Sequence, residues 1–112
     1  MEIAQRTVGN VLVAKTCDQR VDARLAGEFK RQLLALVESG HPLIALDLSQ
    51  VDFIDSSGLG AIVSVLKQLN GRGDLVIVGA KPAVLNLFQL TRMDKVFRMF
   101  LRADDAVAAL SN

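Results

Sequence analysis

The sequence predicts an α/β fold in a single domain spanning residues 1–112, and two observations carry that reading. Two short runs, LIALDL at residues 43–48 and LVIVGA at 75–80, are apolar at nearly every position, the mark of strands covered on both faces. Around them stand segments whose apolar residues recur at the 3.6-residue spacing of a helix. Strands that alternate with helices in this way form a parallel or mixed sheet, joined by right-handed crossovers and covered by the helices.

Taken in order, residues 2–15 (EIAQRTVGNVLVAK) predict a β-hairpin, with alternating residues, a Gly9-Asn10 turn and the Val11–Val13 run. The polar TCDQR segment, 16–20, predicts a loop. Asp22 then suits the N-cap of a helix with apolar positions Leu25, Phe29, Leu33 and Leu36. Gly40 ends that helix and Pro42 forbids its continuation. Strand 43–48 leads through a turn into a helix over Leu59–Leu69, which NGRGD closes with Gly71 and Gly73. After strand 75–80, Pro82 suits the first turn of a helix running through Leu90. KVFRMF, 95–100, predicts a last strand, and ADDAVAAL a closing amphipathic helix capped by Asp104 or Asp105. The order is β-β-α-β-α-β-α-β-α, with Phe88, Phe97 and Phe100 as core candidates.

Composition excludes several function classes. Among 112 residues, 51% are apolar, but they come in short blocks and no run approaches the roughly 18 a membrane span needs. The start, MEIAQRTVGN, lacks the layout of an export signal, which predicts a cytoplasmic protein. Cys17 is alone, which rules out an internal disulfide and fits a reducing compartment. A net charge of +1, from 13 basic and 12 acidic residues, gives no reason to expect nucleic acid or an anionic membrane as partner. With no Trp or Tyr and five Phe, a base-stacking platform is not expected either. The basic residues Arg92, Lys95, Arg98 and Arg102 read as a solvated face.

In α/β sheets functional groups gather where strand ends meet helix starts, and VDFIDSSGLGAIVSVLKQL, 51–69, lies at such a place. At about 100° per residue, Leu59, Ile62, Leu66 and Leu69 share one side of its helix, flanked by Val65. Gly60, Ser64 and Lys67 share the other, with Val63 at the border. Glycine in a helix costs on the order of 1 kcal/mol relative to alanine, so Gly58 and Gly60 imply a close approach to the backbone. One serine suffices as a cap. A cap leaves the second hydroxyl and Asp55 without a role.

Enzymatic readings fit poorly. The single histidine, His41, belongs to the connection at the opposite end of the strand from Ser56, which argues against a hydrolase triad. Gly58, Gly60 and Val63 do not match a dinucleotide fingerprint, and there is no P-loop. Asp47, Asp52 and Asp55 make a weak metal set. A serine at an exposed helix start instead suits phosphorylation. A charge of about −1.5 to −2 there faces free amides and the positive end of the helix dipole. Such a change alters what a partner meets and leaves the fold in place.

The run from Leu43 to Phe97 strongly resembles anti-sigma factor antagonists of the STAS domain family. Its D-S-S-G-L-G matches that family's phosphorylation motif, preceded by L-D-L-S-x-V-x-F-I. The resemblance implies a single STAS-like domain with a mixed, mostly parallel sheet of about five strands packed by about four helices, and no metal or organic cofactor. It implies a non-enzymatic partner switch. Unphosphorylated, such a protein captures an anti-sigma factor with serine kinase activity and so frees a sigma factor; a PP2C-type serine phosphatase resets the phosphorylated form. By position the acceptor is Ser56. Asp22, Asp55, Ser57, Gly58, Leu59, Gly60, Val63 and Ser64 are then expected to form the partner-binding surface. Many members carry a glycine shortly before the acid at Asp22, where this chain has Gln19 and Arg20. The alternative is a STAS scaffold or transporter-associated subunit that binds constitutively and is not phosphorylated.

Overall fold

The computed structural model describes residues 1–111. The hairpin forms as expected, with β1 (Ile3–Val8) antiparallel to β2 (Val11–Thr16) in a register that pairs Val8 with Val11 and Ile3 with Thr16. Gly9 turns the chain at a φ of +62°, a left-handed value that suits its missing Cβ. A two-residue strand β3 (Arg20–Val21) precedes helix α1 (Ala23–Glu38). There follow β4 (Leu43–Asp47), a second two-residue strand β5 (Phe53–Ile54) and α2 (Ser56–Leu69). The chain ends with β6 (Asp74–Val78), α3 (Pro82–Leu90), β7 (Met99–Phe100) and α4 (Ala103–Ser111).

The main sheet has the order β1-β2-β4-β6-β7 and is parallel throughout except for the β1–β2 hairpin. This is the mixed, mostly parallel five-stranded sheet with four helices that the resemblance implies. Alternate residues of each strand serve opposite faces. Leu12, Ala14, Ile44, Leu46, Leu75 and Ile77 meet the larger core, which contains the buried residues of α1, α2 and α3. Val11, Val13, Ala45, Val76 and Val78 meet Ala106 and Leu110 of α4 on the other face. Within the larger core Phe88 and Phe97 pack edge to face, 5.9 Å between ring centroids.

The structure corrects several sequence expectations. The last strand is confined to Met99–Phe100. The residues before it make a turn of 3-10 helix at Met93–Lys95, entered through Arg92 at a φ of +61°. That turn directs Phe97 into the core, whereas Phe100 is only half-buried against the α4 side. Asp104 and Asp105 lie inside the first turn of α4, not at its cap. Along α2 the buried stripe is Leu59, Ala61, Ile62, Val65 and Leu69, while Leu66 is half-buried. Because α1 packs along α2 as well as the sheet lying beneath it, the covered stripe is rotated toward Val65. Gly73 does not serve the helix end, which Asn70 and Gly71 form with φ of 49° and 78°. A Cβ at Gly73 would stand 2.0 Å from the Pro42 carbonyl oxygen, and that oxygen accepts the Asp74 N–H. Thr16 is fully buried, with no hydrogen-bond partner for its hydroxyl among the described residues.

Candidate functional site

Two short strands that stand apart from the main sheet build the site. Strands β3 and β5 pair in parallel, Arg20 with Phe53 and Val21 with Ile54. The Gln19 carbonyl accepts the N–H groups of Asp52 and Phe53 at 2.7 and 3.1 Å, and the Val21 carbonyl accepts that of Asp55 at 3.3 Å. Part of the segment expected as a polar loop is therefore strand. A two-residue strand is too short for period-2 patterning to register in sequence. Its effect is large, because each strand runs straight into a helix: β3 into α1 and β5 into α2. The two helix N-termini consequently lie side by side.

A single carboxylate joins them. Asp55 is the N-cap of α2, and its Oδ1 accepts the N–H groups of Ser57 and Gly58 at 2.9 and 3.0 Å. Its Oδ2 accepts the N–H of Ala23, the first residue of α1, at 3.2 Å. Three otherwise orphaned amides at the positive ends of two helices thus converge on one anion. Capping by a serine, as the sequence suggested, does not occur: α2 begins at Ser56, three residues earlier than expected. This explains the three polar residues in a row. Asp55 supplies the cap and the serines are left over.

Ser56 and Ser57 are the first two residues of α2. Both are exposed, and neither hydroxyl is engaged among the described residues. Asp22 caps α1, accepting the Arg24 N–H at 3.1 Å through Oδ1. Its Oδ2 has two loose neighbours, Arg24 at 3.8 Å and Arg20 at 4.0 Å. The Arg20 guanidinium also lies 4.3 Å from the centroid of the Phe53 ring, a cation–π contact at the surface. On the α3 side of the turn, Lys81 is hydrogen-bonded to Asp52.

The glycines divide sharply. A Cβ at Gly58 would stand 2.7 Å from both Ile54 Cγ1 and the Val21 carbonyl oxygen. The close approach that the sequence implied at Gly58 therefore comes from the protein's own interior. Gly58 and Leu59, expected on the exposed surface, are instead buried, Leu59 at 5% exposure, and support the turn from beneath. Gly60 is exposed, with nothing within 4 Å of where a Cβ would be. Half-buried Ser64 donates its hydroxyl to the Gly60 carbonyl at 2.9 Å, so it adds shape to the surface but no free donor. Val63 is half-buried beside it. The flat outer face at the start of α2 thus consists of Ser56, Ser57, Gly60 and the edges of Val63 and Ser64.

Other candidates fall outside this site. His41 bonds to Ser39 and to the Leu36 carbonyl beyond the end of α1, so it stands at the opposite end of the sheet from Ser56. Asp47 accepts the Ser49 N–H, Asp52 holds Lys81 and Asp55 caps, and among the described residues the three do not come together as a metal-binding group. Sequence reasoning singled out Arg20 as an atypical position before Asp22 but missed Phe53, which is 39% exposed, as a surface feature. The one available sign was Phe53 itself, an aromatic residue two positions before a polar turn.

Comparison with known proteins places this geometry. The sequence model of the STAS domain matches residues 3–106. BtrV of Bordetella bronchiseptica, named as an anti-sigma factor antagonist, is 31% identical over 111 residues, covering 97% of this chain and 94% of BtrV. The crystal structure of an anti-sigma factor antagonist from Mycobacterium paratuberculosis superposes with a TM-score of 0.90 at 25% identity, covering 99% and 94% of the two chains. Phosphorylated SpoIIAA of Bacillus shares the fold at a TM-score of 0.72 and 16% identity, covering 96% of this chain and 98% of that one. Among the described residues no helix is long and apolar enough to cross a membrane.

Proposed function

This chain belongs to the STAS domain family, and from that premise we propose that it is an anti-sigma factor antagonist switched by phosphorylation of Ser56. In the unmodified state the flat face at the start of α2 binds an anti-sigma factor with serine kinase activity, which releases a sigma factor. That kinase transfers the γ-phosphoryl group of its ATP to Ser56 Oγ. A P–O bond forms at the serine as the bond to ADP breaks, and the hydroxyl proton leaves to a base on the kinase. A PP2C-type phosphatase returns the serine by hydrolysis, with water supplying the oxygen of the released phosphate.

The observation that carries the proposal is the division of labour between Asp55 and Ser56. The cap belongs to the acid, so the exposed hydroxyl beside it supports nothing in the fold. Esterifying it breaks none of the hydrogen bonds of the turn, and the added charge enters the positive end of α2, which favours it, beside the Asp55 carboxylate, which opposes it. The same charge changes the docking face from neutral and flat to bulky and anionic. Burying such a charge unpaired at an interface costs several kcal/mol, enough for a change of partner.

The test compares two baits in cell extract. Ser56→Ala retains an anti-sigma factor and Ser56→Asp loses it, while both melt within about 2 °C of each other. Equal capture by both baits, together with no phosphate added to the wild-type chain by the captured kinase and ATP, supports a constitutive scaffold instead.

A further inference from the structure

The arginines beside the acceptor turn are held loosely and have little to do in the unmodified protein. Arg20 and Arg24 project from β3 and from the first turn of α1, with side chains 62% and 87% exposed. Their common acid, Asp22, sits at the outer limit of pairing with both, at 4.0 and 3.8 Å. Its other oxygen already accepts the Arg24 N–H. Asp55 makes no ion pair with either of them, and its two oxygens accept three backbone amides. Lys81, the nearby cation on the α3 side, is held by Asp52. Two guanidinium groups therefore border the turn without a strong acceptor.

A phosphoryl group on Ser56 would supply one. Asp55, the residue before Ser56, bonds to Ala23, the residue before Arg24, and Arg20 pairs across the small sheet with Phe53, three residues before Ser56. A near-dianion with three acceptor oxygens matches the forked donors of arginine better than a single carboxylate oxygen at 4 Å does. We infer that Arg20 and Arg24 form an intramolecular clamp for the phosphoryl group of Ser56, drawing Arg20 off the Phe53 ring and holding the modified state with this chain's own cations. The inference rests on Ser56 as the modified residue and adds to that reading a device that stabilises the phosphorylated form.

The experiment installs phosphoserine at position 56 during translation, so that it depends on no kinase and on no partner. Phosphorus NMR then follows the phosphate through its second ionisation near pH 6. The charged groups around the turn are Asp22, Asp55, Asp52, Arg20, Arg24 and Lys81. Nearby guanidinium favours the dianion, so the midpoint of the otherwise wild-type chain lies roughly half a unit to one unit below that of R20A/R24A. R20K/R24K lies between them, because it keeps the charge and loses the fork. Added salt narrows the difference. Both arginines are exposed, and urea unfolding of each variant checks that the domain remains intact. Coincident titration curves for the wild-type chain and R20A/R24A would overturn the clamp, whatever the pull-down shows. A shifted midpoint with equal capture of both baits would instead leave the clamp standing and remove the partner switch.

Discussion

Gly58 and Gly60, two residues apart in one helix, are predicted to respond to alanine in opposite directions. Neither sits at a positive φ, so helix propensity alone favours alanine at both by about 1 kcal/mol. At Gly60 the new methyl meets nothing within 4 Å, and the full gain is expected. At Gly58 it would lie 2.7 Å from Ile54 Cγ1 and 2.7 Å from the Val21 carbonyl oxygen. The isoleucine can turn, but the carbonyl is backbone and accepts the Asp55 N–H that sets up the double cap. Overpacking of this kind costs roughly 1–3 kcal/mol, and a backbone contact places it at the upper end. With the propensity gain deducted, Gly58→Ala destabilises by about 2 kcal/mol and Gly60→Ala stabilises by about 1 kcal/mol. Urea unfolding reads the roughly 3 kcal/mol spread as midpoints moving apart at constant slope. Thermal midpoints should separate by roughly 12 °C, at about 4 °C per kcal/mol for a domain of this size. If Gly58→Ala proves as stable as wild type, the close approach of β3 to α2 is wrong, and with it the account of how the acceptor turn is held.

The remaining predictions concern the cap, the core and one inter-element contact. Asp55→Ala orphans three amides on two helices and should lower stability by about 2–3 kcal/mol in urea, more than a single lost cap; a loss under about 1 kcal/mol would refute its shared role. Thr16→Val removes a buried hydroxyl that lacks a partner and should raise stability by about 1 kcal/mol, seen as a higher urea midpoint. Gly73→Ala drives a methyl into the Pro42 carbonyl and should cost at least about 3 kcal/mol, or prevent folding, by circular dichroism. Lys81→Ala breaks an exposed ion pair and should change stability by less than about 1 kcal/mol in the same assay.

The sheet was legible because its evidence is long-period and redundant. LIALDL and LVIVGA name β4 and β6 by composition, and Gly40, Pro42 and Pro82 punctuate them from outside. The proposed acceptor, Ser56, was singled out through motif and position. What sequence could not supply was the partnership between distant segments. Nothing near Asp55 indicates that Ala23, 32 residues earlier, will present its amide to it. Likewise the reason for Gly58 lies in Val21, and the reason for Gly73 in Pro42. The helical wheel misjudged Leu66 and Val65 for the same cause, since it knows the period of α2 but not that α1 lies alongside. Local rules place elements, and contacts across the chain decide which face and which atoms matter.

The separation of β3 and β5 from the main sheet has a consequence for how such a protein diversifies. Four residues form a small flap whose ladder is independent of the five strands beneath, and its outward positions are occupied by Arg20 and Phe53. A lineage can therefore rewrite those two side chains while inheriting the scaffold unchanged. Duplicated copies could diverge at this small ladder without any of them having to learn to fold anew.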